Sequence, residues 1–240
     1  MESPLCRSDS RSRDTGLSDA AAADPAFRLI ETFGYSPGAG IARTELHLAR
    51  MATSASSFGM PFDQAAAQAQ MASVQGEAPL RCRMTLARDG TLALETAPMP
   101  APANLWHFAI APERLDPADP FLRHKTTRRA LYDRARAHLA AGVDELVFLN
   151  TRGEVCEGTI TNIIIAAPDG PRLTPPMSSG CLPGVFRQSC LDAGALREAV
   201  LTPADLAEAS GIWLTNALRG AISATWHEDC AVLQKFRHRR

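Results

Sequence analysis

No two cysteines in this 240-residue chain stand at CxxC spacing; the six lie scattered at positions 6, 82, 156, 181, 190 and 230. That spread excludes a local zinc knuckle or a thioredoxin-like motif, and reads as reduced cytoplasmic thiols rather than a disulfide frame. No metal site is expected. No apolar run approaches the roughly 20 residues needed to cross a bilayer. Charge of either sign is not in excess: the net charge is −1, so overall charge favours neither a nucleic acid nor a membrane surface as partner. There is no internal repeat. Large apolar residues are scarce in the opening "MESPLCRSDSRSRDTGLSDAAAADP". So polar a stretch cannot offset its ordering entropy, and a mobile tail is predicted over 1–25. Its Arg and Ser would also suit a transit peptide, but Glu2, Asp9, Asp14 and Asp19 argue against one.

The rest of the chain can bury a sizeable core without a staple. "FRLIETFGYSP" predicts a strand ended by Ser36, Pro37 and Gly38. "TELHLARMATSASSFGM" places Leu46, Leu48, Met51, Ala52, Ala55 and Phe58 near one helical face, with Thr44 as N-cap. "FDQAAAQAQMASVQ" is a second helix opened by Asp63, and "LRCRMTLARDGTLALETAPM" is a hairpin turning at Asp89-Gly90. With the strand in "LWHFAIAPERLD" these make a small α+β unit over 26–116, followed by a linker at 117–124. A larger unit over 125–240 is predicted to begin with the helix "TRRALYDRARAHLAAG", closed by Gly142. Strands around a turn at 151–153, a helix entered through Pro183-Gly184, and the strand pair in "SGIWLTNALRGAISATW" follow.

The chemistry gathers around "FLRHKTTRRALYD". Lys125 leads from a loop into a predicted helix, whose N-terminal partial charge disfavours a cation; Arg128 and Arg129 add repulsion. Both effects lower a lysine pKa and make a better nucleophile and proton shuttle. The plainer reading is a solvated basic helix start. Glu157, in "EVCEGTITNIII", is either a surface acid at a strand end or an anion set against a protonated ring nitrogen. Pro183 and Gly184 put the free N–H groups of Val185 and Phe186 at a helix N-terminus, an anion cradle without P-loop spacing.

"HKTTRR", "EGTITN", "GCLPGVFR" and "TNALRG" occur in the order and at about the spacing of the class IV pyridoxal-phosphate aminotransferase and lyase family, which the chain resembles from about Phe27 to Trp226. The resemblance is strongest to the lyase branch that acts on 4-amino-4-deoxychorismate, as in domains fused to p-aminobenzoate synthases. It implies two α/β domains of the D-amino acid aminotransferase type (fold type IV), pyridoxal 5'-phosphate between them, and a homodimer.

By that resemblance Lys125 is the lysine that bonds the cofactor, and Glu157 is the carboxylate that keeps its ring nitrogen protonated. Arg50 grips the phosphate with Val185, Phe186 and Asn216, while Arg129 and Asn162 lie near the cofactor. A dicarboxylate substrate calls for cations, for which Arg81, Arg83 and Arg219 are candidates, with Thr32 beside them. Arg81 and Arg83 share a strand face by the two-residue period. The implied products are p-aminobenzoate and pyruvate, with possible coupling to an aminodeoxychorismate synthase. A class IV aminotransferase for a branched-chain or D-amino acid would share the lysine, glutamate and phosphate cup, and a non-catalytic cofactor-binding protein is a further alternative. One departure stands out: stand-alone members begin with an extra strand before the "ET" element, and this chain, like the fused domains, has none.

Overall fold

The computed structural model describes residues 16–19, 21, 23–168 and 170–227. β1 (Arg28–Ser36) opens the first sheet. Alternation sends Leu29, Glu31 and Phe33 to one face and Ile30 and Thr32 to the other. Through Gly38 and Gly40, both at positive φ, it turns into the two-residue β2 (Gly40–Ile41). On its other edge it pairs antiparallel with β3 (Leu80–Ala87), Thr32 opposite Arg83. The Asp89-Gly90 turn then leads to β4 (Leu92–Pro98), with Gly90 at φ 88° and Asp89 Oδ1 accepting from Thr91 N at 2.9 Å. The strand order is β2-β1-β3-β4.

Two helices pack on the apolar face of this sheet: α1 (Thr44–Ser57) and α2 (Gln64–Ala72). Leu48, Met51, Ala55 and Met71 meet Phe33, Cys82, Met84 and Leu86 in one core. Asp63 caps α2, accepting from Ala66 N at 2.9 Å. Thr44, predicted to cap α1, is instead its first residue. Arg43 holds the cap position in the left-handed region (φ 59°), and its Nε donates to Ser189 Oγ at 2.9 Å. The predicted tail also needs correction. Residues 1–15 lie outside the described ones, but Leu17 and Ala21 are buried in the first core. They stand four apart, hence on one side of a helical turn.

The second sheet has eight strands in the order β10-β9-β8-β11-β12-β5-β6-β7. They are β5 (Leu105–Leu115), β6 (Glu145–Asn150), β7 (Val155–Gly158), β8 (Asn162–Ala166), β9 (Arg172–Thr174), β10 (Arg197–Glu198), β11 (Gly211–Asn216) and β12 (Gly220–Trp226). β5, expected from its position in the chain to join the first unit, lies inside this sheet, parallel to both β12 and β6. Trp106, Phe108, Ala109 and Ala111 are all buried along it, as a strand covered on both faces requires. Three helices accompany the sheet: α3 (Ala130–Ala137), α4 (Val185–Asp192) and α5 (Pro203–Glu208). α3 is shorter than its sequence suggested. It begins after Arg129 and ends before His138, and Gly142, at φ 80°, belongs to a later turn.

Candidate active site

A cavity of about 820 Å³ is lined by residues of both sheets. Lys125 sits in its wall, but not at a helix start. The chain around it runs extended along the beginning of β1: Lys125 O accepts from Ile30 N at 2.8 Å, and Thr127 N donates to Arg28 O at 2.9 Å. α3 begins five residues later, so the helix dipole is not what depresses this lysine. Burial is the largest cause, followed by the Arg50 and Arg129 guanidiniums, and together they bring its pKa down to about 8 despite Glu31 and Glu157. Arg128, expected to share in that repulsion, stacks on the Phe121 ring at 4.0 Å instead.

Glu157, in β7, is buried. Its Oε1 accepts from the Tyr132 hydroxyl at 2.7 Å and its Oε2 from Leu182 N at 2.8 Å. Burial pushes its pKa up to about 7, against the lowering pull of those two donors, Lys125 and Arg129. A carboxylate short of compensating charge is suited to a further cationic partner. Burial and Glu157 in turn keep the Tyr132 phenol protonated.

Arg50 is not a free surface arginine. Its Nε and Nη2 grip both oxygens of Glu31 at 2.7 and 2.6 Å, and Nη1 donates to Pro183 O at 3.1 Å. His47 Nδ1 meets the same carboxylate at 2.6 Å. Burial opposes the charge on Glu31, yet Arg50 and His47 bring its pKa down to about 2. With five N–H donors on a guanidinium, two of Arg50's remain for an anion. Those lie near the start of α4, where Gly184 is the cap and Val185 the first residue.

A Cβ at 184 would overlap Asn162 Oδ1, so any larger residue there must displace that side chain. Asn162 Nδ2 in turn fixes Leu182 O at 2.9 Å. Phe186 contributes its backbone to the first turn of α4 while its ring lies 4.9 Å beneath the Arg43 guanidinium. Asn216 lines the cavity, but its Oδ1 is engaged by Leu218 N and Arg219 N at 3.1 and 2.8 Å, so it shapes the 216–219 turn. Arg129 Nη2 donates to Thr159 O at 2.9 Å.

Thr32, Arg81, Arg83 and Arg219 all line the cavity as well. Cys82, Met84 and Leu86 point into the first core, which leaves Arg81 and Arg83 on the cavity side of β3. Nine Arg and Lys side chains line the cavity against four carboxylates, so it favours an anionic guest.

Several residues were missed by sequence reasoning. Glu31 was detectable, since alternation along β1 puts it on the core face, where a carboxylate needs a partner. Tyr132 and Leu182 N, which hold Glu157, had no local signal, and neither did Glu145. Glu145 is fully buried at the start of β6. It accepts from Leu146 N, Thr159 N, Ile160 N and Thr161 Oγ1 at 3.0–3.2 Å, and from the Thr159 hydroxyl. The two threonines of "EGTIT" therefore anchor a loop. Gly158 lets that loop close, because a Cβ there would overlap Thr161 Oγ1.

The model of the amino-transferase class IV family matches residues 28–225. The chain belongs to that family. Class IV proteins are pyridoxal-phosphate dependent and have the two-domain type IV fold, in keeping with the two sheets described above. A crystal structure of a Mesorhizobium loti protein, provisionally named an amino-acid aminotransferase, is 39% identical and covers 84% of this chain and 100% of its own, with a TM-score of 0.79. The aminodeoxychorismate lyase of Saccharomyces cerevisiae is 29% identical over 138 residues, covering 50% of this chain and 37% of that protein. The match thus spans little more than a third of the yeast enzyme. A Schizosaccharomyces pombe protein provisionally given the same name is 26% identical over 204 residues, covering 79% of this chain and 87% of its own.

Proposed function

We propose that this class IV protein is a pyridoxal-phosphate-dependent carbon–oxygen lyase that converts 4-amino-4-deoxychorismate to p-aminobenzoate and pyruvate. The observation that carries the proposal is an arginine-rich cavity around a lysine of lowered pKa and a buried glutamate, which suits an amine bearing two carboxylates. Likeness to the aminodeoxychorismate lyase of one yeast, and to a protein provisionally given that name in another, supports the same reading.

The residues present fit the cofactor. Lys125 is a half-buried amine with pKa about 8, able to react near neutrality. Glu157, pushed up to about 7, gains a cationic partner in a protonated pyridine nitrogen. The spare N–H groups of Arg50 and the first turn of α4, Val185 and Phe186 among them, would hold the phosphate. Asn162 and Asn216 shape the walls, and Arg129 fixes Thr159 O in the same cavity. When bound, pyridoxal phosphate supplies an electron sink for the carbon that bears the amine.

Lys125 Nζ in its neutral form takes the proton from that carbon. The neighbouring carbon–oxygen bond breaks, the ring becomes aromatic, and the enolpyruvyl group departs with the bond's electron pair. Lys125 Nζ then returns the proton to the departing group, which becomes pyruvate. Arg81, Arg83 and Arg219 hold the two carboxylates, and Thr32, opposite Arg83 in the sheet, offers a hydroxyl at the same wall. The enzyme would work in the cytoplasm as a homodimer, alongside an aminodeoxychorismate synthase that supplies its substrate.

Identity to the Mesorhizobium loti protein favours a second reading, an aminotransferase for a branched-chain or D-amino acid. The experiment that separates them is turnover of aminodeoxychorismate with and without a keto acid. The lyase needs none; a strict requirement for one would establish the aminotransferase instead.

A further inference from the structure

Six of the nine cationic side chains that line the cavity fall into two groups. One surrounds Lys125, whose charged neighbours are Arg50, Arg129, Glu31 and Glu157. The other consists of Arg81 on β3, Arg136 on α3 and Arg219 in the turn between β11 and β12, all lining the cavity. Thr159 stands between them: its carbonyl accepts from Arg129 Nη2 and its hydroxyl from Arg136 Nη1, each at 2.9 Å.

The second group is held in place by the fold. Arg136 Nη1 also lies 3.4 Å from Glu145 Oε1. The backbone of Arg219 is fixed by Asn216 Oδ1, and its guanidinium lies 5.5 Å over the Trp106 ring. Among the described residues, neither Arg81 nor Arg219 has a carboxylate within 4.0 Å. Glu145, the acid that reaches this group, is saturated by donors of the 158–161 loop. Burial, then Arg136 and Arg81, lower the proton affinity of Arg219, as expected for guanidiniums gathered without enough counter-charge. Three forked donors converging without a matching acid make a carboxylate site.

An α-amino acid carries its carboxylate on the carbon that bears the amine. With the amine at Lys125, that carboxylate would lie among Arg50, already bound to Glu31, and Arg129. No member of the second group is among the charges that act most strongly on Lys125, so that group suits an acid placed further along the substrate. We infer that Arg81, Arg136 and Arg219 form a site for a carboxylate several bonds from the substrate's amine, with Arg136 a specificity-determining residue. The inference rests on the reading of Lys125 as the residue that meets the amine.

The test is calorimetric binding to the pyridoxal-phosphate-loaded protein. The probes are trans-4-aminocyclohexanecarboxylate, with amine and acid at opposite ends of a ring, and leucine, with both on one carbon. The ring compound should bind at least about tenfold more tightly, a modest figure for a charge-assisted pair. Arg136→Gln should weaken it by about tenfold and leave leucine within about twofold. Arg219→Gln, which leaves the partners of Glu145 intact, should do the same, guarding against a folding defect in the first variant. Equal binding of the two probes by the unmodified protein would overturn the inference, as would variants that weaken both probes alike or neither. The lyase proposal fails on a different result, absence of pyruvate from aminodeoxychorismate, so the two failures are distinguishable.

Discussion

Replacing Lys125 with methionine should make the cofactor-free protein more stable. The lysine is half-buried in the cavity wall, and its pKa falls from 10.5 to about 8. Each tenfold change in proton affinity is worth about 1.4 kcal/mol, so the charged amine costs about 3 kcal/mol where it is fully protonated. Methionine fills a similar volume without a charge. The sign follows from proton binding. Between pH 8 and 10.5 the unfolded chain holds this proton and the folded chain does not, so wild-type stability rises with pH across that window. The advantage of Lys125→Met should therefore be full at about pH 7 and nearly gone at about pH 10.5. Urea denaturation of both cofactor-stripped proteins at the two pH values reads it directly, and the corresponding rise in Tm at pH 7 is about 10 °C for a chain of this size. A variant of equal or lower stability at neutral pH, or a gain that does not change with pH, would refute the account of Lys125 as an amine of depressed pKa.

Glu157→Gln should show the opposite pH trend. Its pKa is raised from 4.5 to about 7, so the cost of its charge is absent below pH 4.5 and complete above pH 7, and the variant's gain, about 3 kcal/mol, should appear over that interval in the cofactor-free protein. The same variant should retain cofactor yet slow proton removal, and an unchanged single-turnover rate would count against the role of Glu157. Arg50→Ala strands a buried Glu31 and should cost about 3–5 kcal/mol at pH 7; because the Glu31 pKa is depressed from 4.5 to about 2, the deficit should shrink as pH falls below 4.5. Gly184→Ala should disturb α4 through the clash with Asn162 Oδ1 and weaken pyridoxal-phosphate binding in a fluorescence titration. Adding Asn162→Ala should restore stability, and a single variant with wild-type affinity would show that the close approach at 184 is unimportant.

The residues that touch the cavity were largely legible because their motifs are local. Lys125, Glu157 and Gly184 each mark the end of a short recognisable run. The repulsion of Lys125 by Arg129 was legible, but the largest cause of its lowered pKa, burial, was not. Pattern alone suggested a helix start, whereas the chain there is held extended by Arg28 and Ile30 of β1, a pairing between segments far apart in sequence. β5 was misplaced for a related reason: its parallel partners, β12 and β6, come much later in the chain. Glu145 and Arg136 gain their roles only when the 158–161 loop folds back on β6. Glu31 is the contrasting case. The alternation of β1 alone puts this acid on the core face, where it must find a cationic partner, and Arg50 supplies one.

The most direct test of the central claim is to supply aminodeoxychorismate, without any keto acid, to the pyridoxal-phosphate-loaded protein and quantify both products. Pyruvate and p-aminobenzoate should appear in equal amounts, and Lys125→Ala should release neither. No pyruvate from the unmodified protein, or undiminished release by Lys125→Ala, would contradict the account.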